Sequence, residues 1–303
     1  MKNYKLSDET KTTPWGTVLH RVVATTTFTL ACGLTVNAGD IGGWIEKASN
    51  LSGNAWVSGD AQVYENAQVY GNALVSGDAW VSGNAQVYGD ALVSGNTLVR
   101  DNAQVYGNAK VSDSAWVSDN AWIYDDARVF GNAEVSGNAR VFGNAQVCDN
   151  AWIHGNAQIY GDAEVSDDAR VFGKAVVYDN AQIHGCAQVY GDALVSDYAQ
   201  AYDVALVCDN AEVCGYAEVS GGAWIRGNAK VMTAGDYIVF KNKWSSGRHF
   251  TWTKSNDMWS VGCFYGTGDE LIKKAYADNK VSGKHYEACV KSVETMKNME
   301  QEK

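Results

Sequence analysis

The sequence predicts an all-β solenoid, a left-handed parallel β-helix of about ten 18-residue coils, for most of the chain. One six-residue phrase, A-x-V-x-G-N, repeats without interruption over residues 55–231. Val or Ile occupies every sixth position of that stretch, with Ala201 as the one exception. A longer phrase beginning at Tyr70, "YGNALVSGDAWVSGNAQV", returns at Tyr88 as "YGDALVSGNTLVRDNAQV". Internal repeats of this kind identify a repeat architecture before any other signal does.

Each six-residue unit encodes one short strand and one corner. Alternate side chains of a strand point to opposite sides, so Ala and Val point inward and their neighbours point outward. The Gly-Asn or Gly-Asp pair that follows favours a turn, because these residues tolerate positive φ. Three corners close a triangle, which explains the eighteen-residue period. Ten coils stacked at about 4.8 Å predict a rod about 50 Å long.

Both ends of the repeat predict separate structures. Residues 1–42 predict an N-terminal β cap, since "VLHRVVATTTFTL" has strand composition and an open solenoid edge needs a cover. The solenoid itself is expected over residues 43–231. Residues 232–303 lose the repeat and predict a small α+β domain of three strands and two helices. The first helix is expected to begin with a capping box from Thr267 to Glu270.

Composition excludes several classes of partner. The formal net charge is −11, and residues 45–231 hold 9 Lys/Arg and 23 Asp/Glu, a balance of −14. An acidic rod is a poor partner for nucleic acid. No apolar run is long enough to predict a membrane-spanning helix. Seven scattered cysteines without metal-ligand spacing predict no metal site and are typical of a reducing cytoplasm.

The repeat phrase resembles the hexapeptide-repeat superfamily, whose best-known members are trimeric acyltransferases. "YKLSDE", "VLHRVVA" and "GDIGGWIEKASNLSGNAWV" are similar to an uncharacterised bacterial and phage-borne group often labelled acyltransferases. The superfamily resemblance implies coenzyme A bound in a cleft between neighbouring rods, with a His as general base. This chain departs from that pattern, because no loop interrupts its repeats.

His154 and His184 are the two histidines of the repeat and the candidate general bases. Each follows an inward Ile, so each should point outward, and the five repeat units between them place them on different faces. A single exposed His could act as a base only if a partner subunit enclosed it. The simpler interpretation is a solvated surface His.

Outward residues taken every eighteen positions form aromatic columns. One column is Tyr70, Tyr88, Tyr106, Tyr124, Phe142, Tyr160 and Tyr178. A second face carries Trp80, Trp116 and Trp152 on alternate coils. Rings stacked at the strand spacing would stabilise the rod as cross-strand pairs do. Packing of subunits into a trimer, or binding of a protein or glycan, is the functional alternative.

Aromatic and basic residues are also concentrated in the C-terminal domain. They are Trp244, Arg248, His249, Trp252 and Trp259. Such residues could line a ligand pocket. Formation of the small domain's core is the simpler interpretation.

The leading hypothesis is a non-enzymatic rigid scaffold or binding module that uses no cofactor and forms a homo-oligomer, with a trimer favoured. It would be located in the cytoplasm, or in the virion if the chain is phage-encoded. A coenzyme A-dependent acyltransferase is the second hypothesis. A phage anti-defence protein that binds a host factor or a signal molecule through its C-terminal domain is the third.

Overall fold

A computed structural model describes residues 2–243 and 245–301, and it confirms a β-solenoid of ten stacked coils. Each repeat unit contributes one two-residue strand. Strands eighteen residues apart pair in parallel register, as Trp80 does with Leu98. The strands therefore form three flat faces along the rod. The left-handed winding stays a prediction.

The three faces are named here by their outward residues. The strands of the tryptophan face are Gln62–Val63, Trp80–Val81, Leu98–Val99, Trp116–Val117, Glu134–Val135, Trp152–Ile153, Arg170–Val171, Gln188–Val189, Leu206–Val207 and Trp224–Ile225. Those of the tyrosine face are Gln68–Val69, Gln86–Val87, Gln104–Val105, Trp122–Ile123, Arg140–Val141, Gln158–Ile159, Val176–Val177, Leu194–Val195, Glu212–Val213 and Lys230–Val231. Those of the third face are Trp56–Val57, Leu74–Val75, Leu92–Val93, Lys110–Val111, Arg128–Val129, Gln146–Val147, Glu164–Val165, Gln182–Ile183, Gln200–Ala201 and Glu218–Val219.

The inward residues fill the rod as predicted. Every Val, Ile or Ala at the predicted inward strand positions of residues 57–231 is buried. The corners use the left-handed backbone region that Gly and Asp tolerate, as at Gly77 with φ 70° and Asp119 with φ 58°. A Cβ on Gly83 would lie 2.7 Å from the backbone N of Asp101 in the next coil, so a side chain at this position would require the two coils to shift apart.

The N-terminal cap extends the tryptophan face beyond the first coil. Its strands are β1 (Tyr4–Thr12), β2 (Val18–Ala24), β3 (Phe28–Thr29), β4 (Thr35–Val36) and β5 (Ile41–Ile45). β1, β2 and β5 pair antiparallel, and β5 then pairs in parallel with Gln62–Val63. Strand β1 lies in a polar segment whose composition did not predict it.

Side chains of the cap seal the open end of the rod. The Tyr4 hydroxyl lies 2.7 Å from the backbone oxygen of Leu51. Phe28 meets the Trp56 ring edge to face at a centroid distance of 5.9 Å. The cap and the first coils consequently belong to one apolar cluster with the whole interior of the rod.

The C-terminal domain holds a four-stranded sheet and two helices. Its strands are β6 (Tyr237–Lys241), β7 (His249–Thr253), β8 (Met258–Val261) and β9 (Phe264–Gly266), and its helices are α1 (Gly268–Asp278) and α2 (Lys280–Gln301). The prediction of three strands was wrong. "MWSVGCFY" is two strands, because the chain turns at Gly262 with φ 57°. The capping box of Thr267 and Glu270 is confirmed.

This domain is docked on the last coil through hydrogen bonds to its backbone. The Trp224 N–H donates to the Thr251 hydroxyl at 2.9 Å, and the Lys230 N–H donates to the Ser255 hydroxyl at 2.6 Å. The Tyr265 hydroxyl donates to the backbone oxygen of Arg226 at 3.3 Å. The sheet edge that the last coil would otherwise expose is therefore covered, as solenoids require.

The narrow interior predicts a steep cost for removing atoms from it. Ile153→Ala should lower the free energy of unfolding by about 2–5 kcal/mol, because a fully buried side chain leaves a cavity. Ile153→Val should cost only about 0.5–1.5 kcal/mol, since the flanking coils already carry Val135 and Val171 at that position. Urea unfolding followed by circular dichroism measures both, and equal costs would contradict tight packing of the interior.

Candidate functional site

The tyrosine column forms a continuous ladder of stacked rings. Neighbouring rings from Tyr70 to Tyr178 lie 4.8–5.2 Å apart between centroids, with interplanar angles of 2–15°. This spacing equals the strand spacing of a parallel sheet. The backbone register therefore dictates the stacking, and the ladder predicted from the eighteen-residue period is confirmed.

The ladder presents little flat apolar surface. Each inner ring has a neighbour on both faces, and all seven rings are half-buried. The Tyr70 hydroxyl donates to Gln86 Oε1 at 3.2 Å, and the Tyr88 hydroxyl donates to Gln104 Oε1 at 3.3 Å. Partial burial raises the pKa of Tyr88 and Tyr106 above the ordinary value. These contacts indicate first of all a stabilising role.

The tryptophans of the tryptophan face differ from one another in what covers them. Trp152 lies between the His154 ring, at 4.4 Å, and the Arg170 guanidinium, at 5.6 Å. Trp80 meets the edge of Trp15 at a centroid distance of 5.5 Å. Trp116 is 49% exposed. This face therefore has an open region near Trp80 and Trp116.

Trp15 makes one wall of that open region, and the sequence analysis did not identify it. It sits in the turn between β1 and β2, where the Gly16 N–H donates to the Thr13 oxygen at 2.9 Å. The turn holds the Trp15 ring over Tyr64, at a centroid distance of 6.4 Å, and leaves it 67% exposed. The "TPWG" turn motif was the signal available in the sequence.

Two adjacent cavities make a groove along the first coils of the tryptophan face. The first has a volume of about 520 Å³ and the second about 340 Å³. Trp80 and Leu98 line both. The tryptophan groove is defined here by Trp15, Trp80, Leu98 and Trp116. Its rim carries Glu65, Asp78, Arg100 and Asp101.

The two histidines belong to short ring stacks, each on its own face. His154 on the tryptophan face stacks on Phe172 at 4.9 Å. His184 on the third face stacks on Tyr202 at 5.1 Å. Their predicted separation onto different faces is confirmed, and both outward side chains are half-buried in these stacks. Burial lowers the pKa of His154 despite the opposing charge of Glu134.

The C-terminal candidates do not converge on one pocket in the part of the chain that the structure describes. Trp252 and Trp259 are buried in the domain core, and both line a cavity of about 230 Å³ beside α2. His249 faces the rod, where it lies against Gly222. Arg248 is exposed near the Gly262 turn. Trp244 lies outside the described residues.

Within residues 2–243 and 245–301, no cluster of three His, Cys, Asp or Glu side chains could hold a metal ion. Among the same residues, no helix combines the length and apolar character needed to cross a bilayer.

The tyrosine ladder predicts different effects for two substitutions at one position. Tyr106→Ser removes two ring contacts and should lower the free energy of unfolding by about 1–3 kcal/mol, from about 0.5–1.5 kcal/mol for each pair. Tyr106→Phe keeps both contacts and should stay close to the wild type. Urea unfolding compares them. If ring stacking contributed nothing to stability, the two variants would have the same free energy of unfolding.

Asp257 predicts a pH-dependent contribution to the stability of the C-terminal domain. Burial raises its pKa, but hydrogen bonds from Lys297 and Trp252 outweigh burial and hold the pKa below the ordinary value. A carboxylate with a lowered folded-state pKa stabilises the protein above its unfolded pKa of about 3.9, and it loses that effect as pH falls through the folded pKa.

Asp257→Asn should therefore destabilise the domain at neutral pH, and the difference from wild type should shrink in acid. Asn tolerates the left-handed φ of 53° at this position, so the backbone is preserved. Tryptophan fluorescence against urea at several pH values measures the difference. Glu300→Gln, which removes the exposed ion pair with Lys254, is the matched control and should change little.

Comparison with known proteins agrees with this architecture. A family model described as the YdcK Beta solenoid repeat matches residues 67–83, 85–101, 103–119, 133–149 and 187–203. Each match covers nearly one coil. The first three matches begin on the tyrosine face and the last two on the tryptophan face. Both starting points fit the same pattern, because every face is built from the same six-residue unit. No curated protein matches the chain. The chain is thus a β-solenoid repeat protein that is similar, over these coils, to the YdcK beta-solenoid repeat.

Proposed function

We propose that this chain is a rigid, non-enzymatic scaffold and binding module. The observation that carries the proposal is the unbroken stack of ten coils between two covered ends. Every coil is held to the next by backbone hydrogen bonds, so outward side chains keep fixed positions along the rod. A rigid display of side chains lowers the entropy lost when a partner binds.

An acyltransferase of the hexapeptide-repeat type is the second candidate. His154 favours it, because burial lowers the pKa of this imidazole and so favours the neutral form that a general base requires. A general base also needs a bound acceptor within hydrogen-bonding distance. The rod around His154 is a flat face of strands without an inserted loop, so one chain provides no enclosed cleft. The scaffold function is therefore preferred.

Assembly, location and biological context are further parts of the proposal. We propose a homo-oligomer, with a trimer favoured, that needs no cofactor and works in the cytoplasm or in a virion. The tyrosine face offers a straight row of ring edges and hydroxyls against which a second rod could lie. Association with a phage, and an anti-defence role through the C-terminal domain, stay hypotheses raised by the resemblance of the N-terminal segment.

Mass in solution and binding of coenzyme A test the scaffold function together. Light scattering should give a multiple of 32.7 kDa, the mass of one chain. Acetyl-coenzyme A should leave the melting temperature unchanged, whereas an enzyme with a specific site would be stabilised by its ligand. A reproducible upward shift that disappears in His154→Ala would sink the non-enzymatic proposal.

A matched pair of triple variants tests the tyrosine face as the interface. Tyr88, Tyr106 and Tyr124 changed together to Ser should dissociate the oligomer, and the same three changed to Phe should preserve the ring contacts. Circular dichroism confirms that each variant is folded before its mass is compared. A folded Ser variant that remains fully assembled would exclude the ladder as the contact surface.

A further inference from the structure

Within its own rod, this chain repeatedly places an arginine on an outward tryptophan. Arg140 lies 4.8 Å from the Trp122 ring centroid, and Arg170 lies 5.6 Å from that of Trp152. In both pairs the arginine follows the tryptophan by eighteen residues and is its register partner in the next coil. A guanidinium over the face of an indole is attracted by the ring's negative electrostatic potential.

An arginine also lies over a tryptophan ring at each end of the tryptophan face, although it reaches the ring from a different sequence position. Arg21 of the cap lies 4.5 Å from the Trp44 ring, and Arg226 lies 4.9 Å from the Trp224 ring. The pattern thus occurs on two faces and at both ends of the rod. Arginine is thus a recurrent cover for the outward indoles of this protein, whereas Trp80 is covered by the Trp15 ring.

Trp116 departs from this pattern. Its register partner in the next coil is Glu134, and its partner in the preceding coil is Leu98. Within the described part of the chain, neither a ring nor a cation stacks on Trp116, and no ion pair involves Glu134. Trp116 therefore offers an uncovered indole with a carboxylate at the position where the chain elsewhere supplies an arginine.

The charge around this position is negative. Glu65, Asp78 and Asp101 lie at the rim of the tryptophan groove, and Arg100, the one base among the described residues that line it, is 3.6 Å from Asp101. With Glu134 beyond Trp116, carboxylates outnumber bases along the groove. A surface of this charge repels nucleic acid and acidic peptides and attracts cationic ones.

We propose that the tryptophan groove binds a basic segment of a partner protein, with one arginine of that segment stacked on Trp116 and paired with Glu134. Arginine fits better than lysine, because a planar guanidinium can stack on an indole and hydrogen-bond a carboxylate at once. The indoles of Trp15 and Trp80 and the side chain of Leu98 would contact the apolar parts of the segment. A neutral glycan can donate hydroxyl hydrogen bonds to the rim carboxylates, but it carries no positive charge for them to attract.

This proposal rests on the binding-module function and names the class of its partner. Calorimetric titration of the full chain with a short capped peptide carrying two arginines separated by glycines tests it directly. The same peptide with lysines, and a neutral oligosaccharide, serve as comparison probes. The arginine peptide should bind several-fold more tightly than the lysine peptide, and the oligosaccharide should not bind.

Two substitutions locate the contact. Trp116→Leu and Glu134→Gln should each weaken binding of the arginine peptide about three- to thirty-fold, through loss of the cation–π contact or of the ion pair. Glu164→Gln removes the same charge from an equivalent strand position on the third face and should leave binding unchanged. Melting temperatures of the variants confirm that each remains folded.

Several results would overturn the proposal. Equal affinity for the lysine peptide, or equal losses in Glu134→Gln and Glu164→Gln, would indicate attraction to the acidic rod as a whole. Binding of the oligosaccharide alone would assign the groove to a glycan, and dissociation of an oligomer by Trp116→Leu would assign it to a second copy. Absence of peptide binding without any acetyl-coenzyme A effect would remove this partner while leaving the scaffold function intact.

Discussion

The backbone hydrogen bonds between successive coils are the constraint on which the whole structure depends. The Trp116 N–H donates to the Ala133 oxygen at 2.9 Å, and the Ser118 N–H donates to the Val135 oxygen at 3.0 Å. The same pattern links each coil to the next along the rod. Because the offset is always one coil, every side chain lies directly beside the one eighteen residues later. An outward residue therefore packs well where it can stack on, or hydrogen-bond to, its neighbours in the same column.

Columns of like residues show which side chains meet that condition. Rings stack at the strand spacing, and amides do so by hydrogen bonding, as Asn120 Nδ2 does to Asn138 Oδ1 at 3.2 Å. Carboxylates repel at this distance, and the corner column through residues 72–180 alternates Asn with Asp. Asn72 Nδ2 accordingly donates to Asp90 Oδ1 at 2.9 Å. Other acids accept backbone N–H groups, as Asp119 does from Gly137 at 2.9 Å. Many acidic side chains of the rod thus help to hold successive coils together.

The sequence was sufficient to predict the solenoid, its eighteen-residue coil and the tyrosine ladder, because all three follow from a strict local period. It was insufficient where contacts join distant segments. Strand β1 joins the cap by pairing with β2, and Trp15 packs on Tyr64 and Trp80. No periodic sequence pattern predicts these contacts. The division of "MWSVGCFY" into two strands depends on one left-handed glycine. The ring stacks of His154 and His184 could have been predicted from the eighteen-residue period, because Phe172 and Tyr202 lie eighteen residues later in the same columns.

The register also governs how such a rod can change its length. Adding or removing eighteen residues inserts or deletes one coil and leaves every remaining side chain on its original face. A change of six residues closes the prism equally well, yet it carries all later residues round to the adjacent face. The C-terminal domain, which is docked on the last coil, would then be rotated about the rod axis by one third of a turn relative to the tryptophan groove. Adding or removing whole coils therefore changes the length of the rod without rotating one end relative to the other.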